Sequence, residues 1–466
     1  MSQLYYDRLC NITAPWYVAA ARALRPGLLR VGGTRGDALF YNMTPGTTGA
    51  TPAPAPYQRT LAAVQWDLVM QFARLANFTV AFGINAGAGP RAPGCGAWRA
   101  ANLQQLLAYA AARNDTVSRG GPLVALEFGN EINLFLLAFG PECLPSGPQF
   151  AADYAQFHAA VAAVDPALRT VAYDVAFVPF LGSLDPEFVE RALAPLNGTL
   201  GAFTWHFYPT MADTDSARQV LPKWIYELLK ASPQALLDPK VLDRVGHFAS
   251  EVQNLTAKLH ITPGAELWLG ETGSAVGGGQ TNVSDRFVDG FEYLDKLGSA
   301  AAHGTHLVMR QCFCGYRYGL TNADQTANPS FFTTVLFKRL VGVTYLHSNS
   351  GAGAPDPMLR VHAWRAGTNR VGEHADAAAN VTLTYVNLHN ATGTITLPRP
   401  SAWTEYILQS EALESDTMLL NGQPLRLTAT GDLPPLPGRP AAAPAAAISV
   451  PPLSYGFIIL PMPSPD

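Results

Sequence analysis

The sequence predicts an α/β fold, a (β/α)8 TIM barrel with its first strand missing, followed by a C-terminal all-β sandwich. Two patterns predict this. Up to about residue 340, short apolar runs alternate with segments whose apolar residues recur at helical spacing, the signature of a parallel sheet with crossover helices. From about Thr344 the helical spacing stops and short strands separated by turns take over, as in a sandwich. The 466 residues suit this division, because a barrel uses about 250 residues or more as one domain. The expected domains are residues 1–342 for the barrel and 343–466 for the sandwich.

The runs Leu28–Val31, Phe78–Ile84, Leu123–Phe128, Thr170–Val175, Ala202–Phe207, Glu266–Leu269 and Thr305–Met309 read as barrel strands. Helices are expected over Pro15–Leu24, Tyr57–Ala76, Trp98–Ala112, Phe150–Val164, Leu242–Leu259, Arg286–Ala300 and Ser330–Leu340. Seven strands are one short of a closed barrel. A helix-like stretch precedes the first of them, so the absent strand belongs before Pro15, where Met1–Cys10 is short and irregular. In the second domain, Val381–Leu388, Gly393–Leu397, Trp403–Gln409, Met418–Leu420 and Tyr455–Leu460 read as strands, and the Pro/Ala-rich stretch Pro434–Ala447 as an irregular loop.

Composition narrows the function. Hydrophobic residues make up 48% of the chain and charged residues 14%, against about 25% charged in an average soluble protein. The net charge of −4 excludes a polybasic nucleic-acid or membrane-surface binder, which needs a cationic face. No apolar run is long enough for a transmembrane helix. Five cysteines without a C-x-x-C pair argue against a zinc site and read as buried thiols, with Cys312 and Cys314 on a strand. Nine of the nineteen asparagines (Asn11, Asn42, Asn77, Asn114, Asn197, Asn254, Asn282, Asn380 and Asn390) open an N-x-S/T sequon. That density implies a glycosylated surface and passage through the secretory pathway. Met1–Ile12 has neither a basic start nor an apolar core of a signal peptide, so the expectation is a natural N-terminus upstream of Met1.

Two glutamates carry the chemistry. Glu131 closes Leu126-Glu127-Phe128-Gly129-Asn130-Glu131 at one strand end, and Glu271 closes Leu267-Trp268-Leu269-Gly270-Glu271 at another. The C-terminal ends of barrel strands converge on one face, so these distant residues can meet there. A carboxyl pair about 5–5.5 Å apart is what retaining glycoside hydrolysis needs, one protonated and one ionised. Asn130 beside Glu131 can hold the sugar 2-hydroxyl. In Trp205-His206-Phe207-Tyr208 the period of two puts His206 and Tyr208 on one side; they suit a sugar pocket, or His206 is a core histidine with its hydrogen bonds made. The loop Gly277-Gly278-Gly279 is a turn or a backbone cradle for a substrate carboxylate. Gly87-Ala88-Gly89-Pro90-Arg91-Ala92 fails as a dinucleotide fingerprint, because Pro90 and Pro93 remove N–H groups that a phosphate-binding helix needs.

These segments together resemble glycoside hydrolase family 79, the heparanase-like enzymes. The resemblance runs through Leu29-Arg30-Val31-Gly32-Gly33-Thr34, Phe82-Gly83-Ile84-Asn85, Glu127-Phe128-Gly129-Asn130-Glu131, Trp205-His206-Phe207-Tyr208, Trp268-Leu269-Gly270-Glu271-Thr272, Tyr293-Leu294-Asp295-Lys296-Leu297-Gly298, Met309-Arg310-Gln311 and Phe337-Lys338-Arg339-Leu340-Val341-Gly342. Thr417-Met418-Leu419-Leu420-Asn421-Gly422 and Gly431-Asp432-Leu433-Pro434 look most like the plant branch. The resemblance implies a barrel plus sandwich and a retaining enzyme that cleaves β-linked glucuronic acid, with Glu131 as acid/base and Glu271 as nucleophile. It assigns the sugar pocket to Thr34, Asn130, His206, Tyr208, Gln311 and Tyr318, and donors to the uronate carboxylate to Gly277 and Gly278. It implies no metal or organic cofactor, a glucuronic-acid-containing glycan or glycoconjugate as partner, a monomer, and a secreted, extracellular or vacuolar location with surface membrane association. The chain departs from the family in Ile132 and Val276, in the absent first strand with its acidic residue, and in basic clusters, since Phe177–Gly182 carries no charge. The alternatives are another retaining β-glycosidase of the same barrel clan, or a catalytically impaired glycan-binding wall protein.

Overall fold

The structure is a computed structural model that describes residues 10–177, 186–196, 198–215, 218, 222–261, 264–346, 356–365 and 380–461. The chain forms two compact units. The first comprises Met1–Phe207, Ser250–Thr272 and Thr305–Gln311, and the second comprises Tyr208–Ala249, Gly273–Gly304 and Cys312–Asp466.

The first unit is built on seven strands: β1 (Gly27–Val31), β2 (Phe78–Ile84), β3 (Leu123–Phe128), β4 (Arg169–Phe177), β5 (Ala202–Phe207), β6 (Glu266–Thr272) and β7 (Leu307–Arg310). They lie side by side in chain order, each parallel to the next, in a nearly closed, TIM-barrel-like sheet. Among the described residues the expected strand positions therefore hold, as does the expected count of seven. The N-terminal segment in which the sequence shows no first strand falls, up to residue 9, outside the described residues. One end strand differs from the interior: β5 is buried throughout, whereas every residue of β7 is partly exposed.

Strand period decides what fills the sheet's inner face. One layer is apolar: Ala81, Ala125, Val171, Ala202 and Trp268 form a buried cluster, with Leu28, Leu307 and Met309 packed against it. Two residues further along β1, β2, β3 and β5, on the same strand face, stand Arg30, Gly83, Glu127 and Thr204. The alternation that buries alanine one step below thus carries charge into the next layer.

The helices of this unit follow local rules. α1 (Pro15–Ala23) has proline in its first turn, where the missing N–H costs nothing. In α2 (Ala63–Ala76) Gln65 reaches back to accept from the Ala62 N–H at 3.0 Å, and Asn77 ends the helix at φ 57°. A short strand, Arg59–Ala62, takes up the start of the longer helix expected here. Ser146 caps α3 (Gly147–Ala162), accepting from the Gln149 N–H at 3.3 Å. Cys95 and Cys143 form a disulfide with Cα atoms 5.0 Å apart, which corrects the reading of all the cysteines as buried thiols. Spacing could not reveal it, because 48 residues separate the two sulfurs in sequence.

The second unit holds an antiparallel sheet in the order β8 (Thr344–Leu346), β9 (Leu359–Arg365), β10 (Asn380–Asn387), β14 (Ser454–Pro461) and β12 (Thr404–Gln409), continued by two short strands. A separate pair, β11 (Gly393–Ser401) with β13 (Ala445–Val450), packs against it as in a sandwich. Leu383, Tyr385 and Ile458 from the large sheet share a core with Ile395, Leu397, Ile448 and Val450 from the pair. The expected loop at Pro434–Ala447 is corrected: Arg439–Pro440 pairs with β12, and β13 begins at Ala445. Alanines hid the alternation, since only Ile448 and Val450 of β13 turn inward to the core. Cys312 is buried in a loop rather than a strand, its thiol donating to the Cys314 carbonyl at 3.2 Å.

Candidate active site

At the C-terminal end of the first unit's sheet, one guanidinium organises the side chains. Arg30 is buried on β1; its Nε donates to Glu127 Oε2 at 2.7 Å and its Nη1 to Glu271 Oε2 at 3.0 Å. Its Nη2 donates to Asp174 Oδ2 at 2.8 Å and to Asn130 Oδ1 at 3.1 Å. Gly32 and Gly83 make room for the Arg30–Glu127 pair: a Cβ on Gly32 would lie 3.3 Å from the guanidinium carbon and 3.5 Å from Glu127 Oε2.

Backbone irregularities aim the carboxylates. The β4–β5 register shifts between Tyr173 and Val175, leaving Asp174 as the extra residue at φ 56°. The β5–β6 register shifts where Trp205 pairs with Leu269 and His206 with Glu271, so Gly270 is the extra residue before Glu271. A Cβ on Gly270 would sit 3.6 Å from both Asp174 Oδ1 and His206 Nε2, against the ion pair those atoms make. Glu131 itself has φ 51°, ψ 52°, and its N–H donates to the Asp174 carbonyl at 2.7 Å. A left-handed glutamate costs of order 1–3 kcal/mol and is the kind of strain found where a side chain must point one way. Asn130 is held by its own N–H, which donates to buried Asp37 Oδ2 at 2.9 Å. Burial pushes the Asp37 carboxyl well above its usual range, outweighing the donors from Ala86 and Asn130.

His206 links the two sides. Its Nδ1 lies 3.1 Å from Glu131 Oε1 and its Nε2 2.7 Å from Asp174 Oδ1. Burial disfavours the imidazolium, but Asp174 and Glu271 outweigh it and raise the ring to about 10. Asp174 is pulled the other way: burial opposes its charge, yet Arg30 and His206 hold it at about 2. For Glu127 burial wins over Arg30, and its carboxyl rises to about 7. The outcome is a buried row of fixed charges beneath two partly exposed carboxylates, with Glu131 and Glu271 side chains 20% and 13% exposed against 0% for Glu127 and Asp174.

One carboxylate oxygen from each of Glu131 and Glu271 and one ring nitrogen of His206 lie within 4.8 Å of one another. That spacing matches a metal centre, but the donor chemistry does not: a doubly carboxylate-bound imidazolium has no lone pair for a cation. It fits instead a pair of carboxyls facing a small substrate.

The first unit thus brings together the predicted Glu131, Glu271, Asn130 and His206. Thr34 is exposed at its edge, with Oγ1 3.5 Å from Asn130 Nδ2, and buried Gln311 follows β7, its N–H donating to the Thr272 carbonyl at 2.7 Å. Tyr208, Tyr318, Gly277 and Gly278 belong to the second unit. There the Tyr208 and Tyr318 rings stack at 6.1 Å beside buried Cys312, and Gly277, Gly278 and Gly279 all have positive φ, a run that side chains resist. The expected segment beyond Phe177 lies outside the described residues. Sequence reasoning missed Arg30, Asp37, Glu127 and Asp174. Glu127 and Arg30 were readable, because both stand two residues from apolar positions on strands whose neighbours are buried; Asp174 was not, because only its bulge turns it inward.

Comparison with known proteins adds the family. A family model described as "Glycosyl hydrolase family 79, N-terminal domain" matches residues 9–298. The chain is 29% identical to "Heparanase" of Mus musculus over 507 residues, covering 97% of this chain and 86% of that one. It is 29% identical to "Heparanase-like protein 1" of Arabidopsis thaliana, covering 97% and 85%. Among solved structures, the 4-O-alpha-L-rhamnosyl-beta-D-glucuronidase of Fusarium oxysporum shares the fold, with TM-score 0.63, 16% identity and coverage of 99% of this chain and 93% of that one. Through its barrel sequence, the chain belongs to glycosyl hydrolase family 79.

Proposed function

We propose that the protein is a retaining glycoside hydrolase that cleaves β-linked glucuronic acid from a glycan or glycoconjugate. The observation that carries the reading is the approach of the carboxylates: an oxygen of Glu131 and one of Glu271 lie within 4.8 Å. This is closer to the separation of about 5–5.5 Å used in retention than to the roughly 6.5–9.5 Å that leaves room for a water in inversion. The name heparanase, carried by relatives of the chain, supports a glycan as substrate.

In this mechanism Glu131 gives its proton to the glycosidic oxygen as the C1–O bond breaks, and Glu271 Oε bonds to C1. Ionised Glu131 then takes a proton from water, whose oxygen attacks C1 and releases Glu271. Arg30, 3.0 Å from Glu271 Oε2, favours the ionised nucleophile. His206 turns Glu131 by its bond to Oε1, and Asn130, held by Arg30 and Asp37, faces the sugar 2-hydroxyl. Thr34 and Gln311, in the same unit, complete the sugar contacts. Both chemical roles fall to carboxyls, so the reaction calls for no cofactor.

A secreted glycoprotein fits the surface. Of the eight sequon asparagines among the described residues, Asn11, Asn77, Asn114, Asn254, Asn282 and Asn390 are exposed. No helix among the described residues is long and apolar enough to cross a membrane.

The test compares an aryl β-glucuronide with the β-xyloside and β-glucoside and follows the first-formed anomer by NMR. Glucuronide turnover with retention is expected. Glu271→Gln lowers kcat by about 10³-fold or more with an unchanged circular dichroism spectrum; a variant as active as the parent overturns the assignment.

A further inference from the structure

Glu127 has no part in the mechanism above, yet it lies in the same network with none of its side chain exposed. Its Oε2 takes the shortest bond that Arg30 makes, 2.7 Å, while its Oε1 has no hydrogen-bond partner among the described residues. The charged groups facing it are Arg30 from β1, Asp174 from β4 and His206 from β5. Through Arg30 it is one guanidinium away from Glu271 on β6. Gly32 and Gly83, the other neighbours of Oε2, add no charge.

We propose that Glu127 is a positioning residue that shares Arg30 with Glu271, so that its own charge sets the charge balance in which the two accessible carboxylates work. The inference rests on the reading of Glu131 and Glu271 given above.

Charge balance supports it. With Glu131 protonated and ready to act, two cations, Arg30 and His206, face two anions, Asp174 and Glu271. In the glycosyl-enzyme, Glu271 is an ester and Glu131 carries the charge, so two cations again face two anions. Both states balance only while Glu127 is neutral. An ionised Glu127 adds a buried negative charge whose bare Oε1 no donor compensates. Its rise to about 7, caused by burial and opposed by Arg30, agrees with the geometry.

The sign of the effect follows. Below neutral pH, Glu127 is uncharged and resembles a glutamine. Above it, the added negative charge disfavours the loss of a further proton from the network, and the alkaline limb of activity lies higher than it otherwise would.

The experiment measures the pH profile of kcat/KM on an aryl β-glucuronide for the parent, Glu127→Gln and Glu127→Asp. Glutamine keeps an oxygen for Arg30 Nε but never ionises. The Gln variant should move the alkaline limb toward acid by about half to one pH unit, leaving the acid limb in place, and Asp should lie between Gln and the parent. An unmoved alkaline limb, a shift of both limbs together, or a uniform loss at every pH overturns the proposal, as does failure of both variants to fold. Trapping the parent with a 2-deoxy-2-fluoro-β-glucuronosyl fluoride separates the two readings. A label on Glu271 with an unmoved limb sinks only the role of Glu127, whereas a label elsewhere sinks the assignment beneath it.

Discussion

In the first unit Arg30, Asp174 and His206 share one buried ionic network; in the second, Asp295, Arg360 and His362 share another. The second network grows from α4 (Asp289–Ala302), whose Asp295 Oδ1 lies 2.7 Å from Arg360 Nε and 3.0 Å from His362 Nε2, both on β9. Tyr345 on β8 meets His362 Nδ1 at 3.1 Å, and Asp243 takes Arg360 Nη2 at 2.7 Å. Here the Arg360 guanidinium and the His362 ring end on a carboxylate or a neutral hydroxyl, and Asp295 is held below its usual range by His362 and Arg360 against the cost of burial. In the first network the acids outnumber the bases: Glu127, Asp174, Glu271 and Glu131 surround Arg30 and His206. The same residue types therefore make a closed structural tie in one place and a titratable set with two accessible carboxylates in the other. A surplus of acid is what leaves protons free to move.

The contrast breaks hardest at Arg30. Arg30→Gln leaves Glu127, Asp174 and Glu271 facing one another without their shared cation, and should cost about 3–5 kcal/mol of stability together with most of the activity. Urea unfolding and glucuronide turnover check both; a stable variant with full turnover would mean that the hub is dispensable. Asp295→Asn should cost less, about 1–3 kcal/mol, because Arg360 keeps Asp243 and stays partly hydrated. Its pH–activity profile should match the parent's, and a shifted limb would erase the distinction between the two networks.

The smallest effect is in the pH dependence of stability, where the signs differ. His206 is raised in the folded state to about 10, so its contribution is complete below about 6.5 and fades as pH rises toward 10. Asp174 is depressed to about 2 and Asp295 is lowered, so their contributions are complete above about 4 and fade as the solution is acidified. Both networks lose these carboxylate contributions in acid, and the first also loses the His206 contribution in mild alkali. Thermal unfolding of the parent between pH 7 and 10 should show a loss of about 1–3 kcal/mol that His206→Gln flattens. An equal loss in that variant would place the alkaline sensitivity elsewhere.

Much of the fold was legible because strand and helix periods are local. Phe78–Ile84, Leu123–Phe128 and Ala202–Phe207 are strands with the bounds their apolar runs suggest. β13 escaped because three of its six residues are alanine, too small to mark an inward face. In the site, Glu131 and Glu271 were legible as acids at strand ends beside Asn130 and Gly270. His206 kept two readings until its ring was found between Glu131 and Asp174, where it is buried and also bonded to the site.

The sequence by itself determined the alternation of strands and helices, the family and the pair of glutamates, since each is written in neighbouring residues. The tertiary structure alone decided which carboxylates share a cation. Arg30, Glu127, Asp174 and Glu271 come from four different strands, and their protonation depends on burial and on distances of about 3 Å. The bulges at Asp174 and Gly270 set those distances by turning single residues inward.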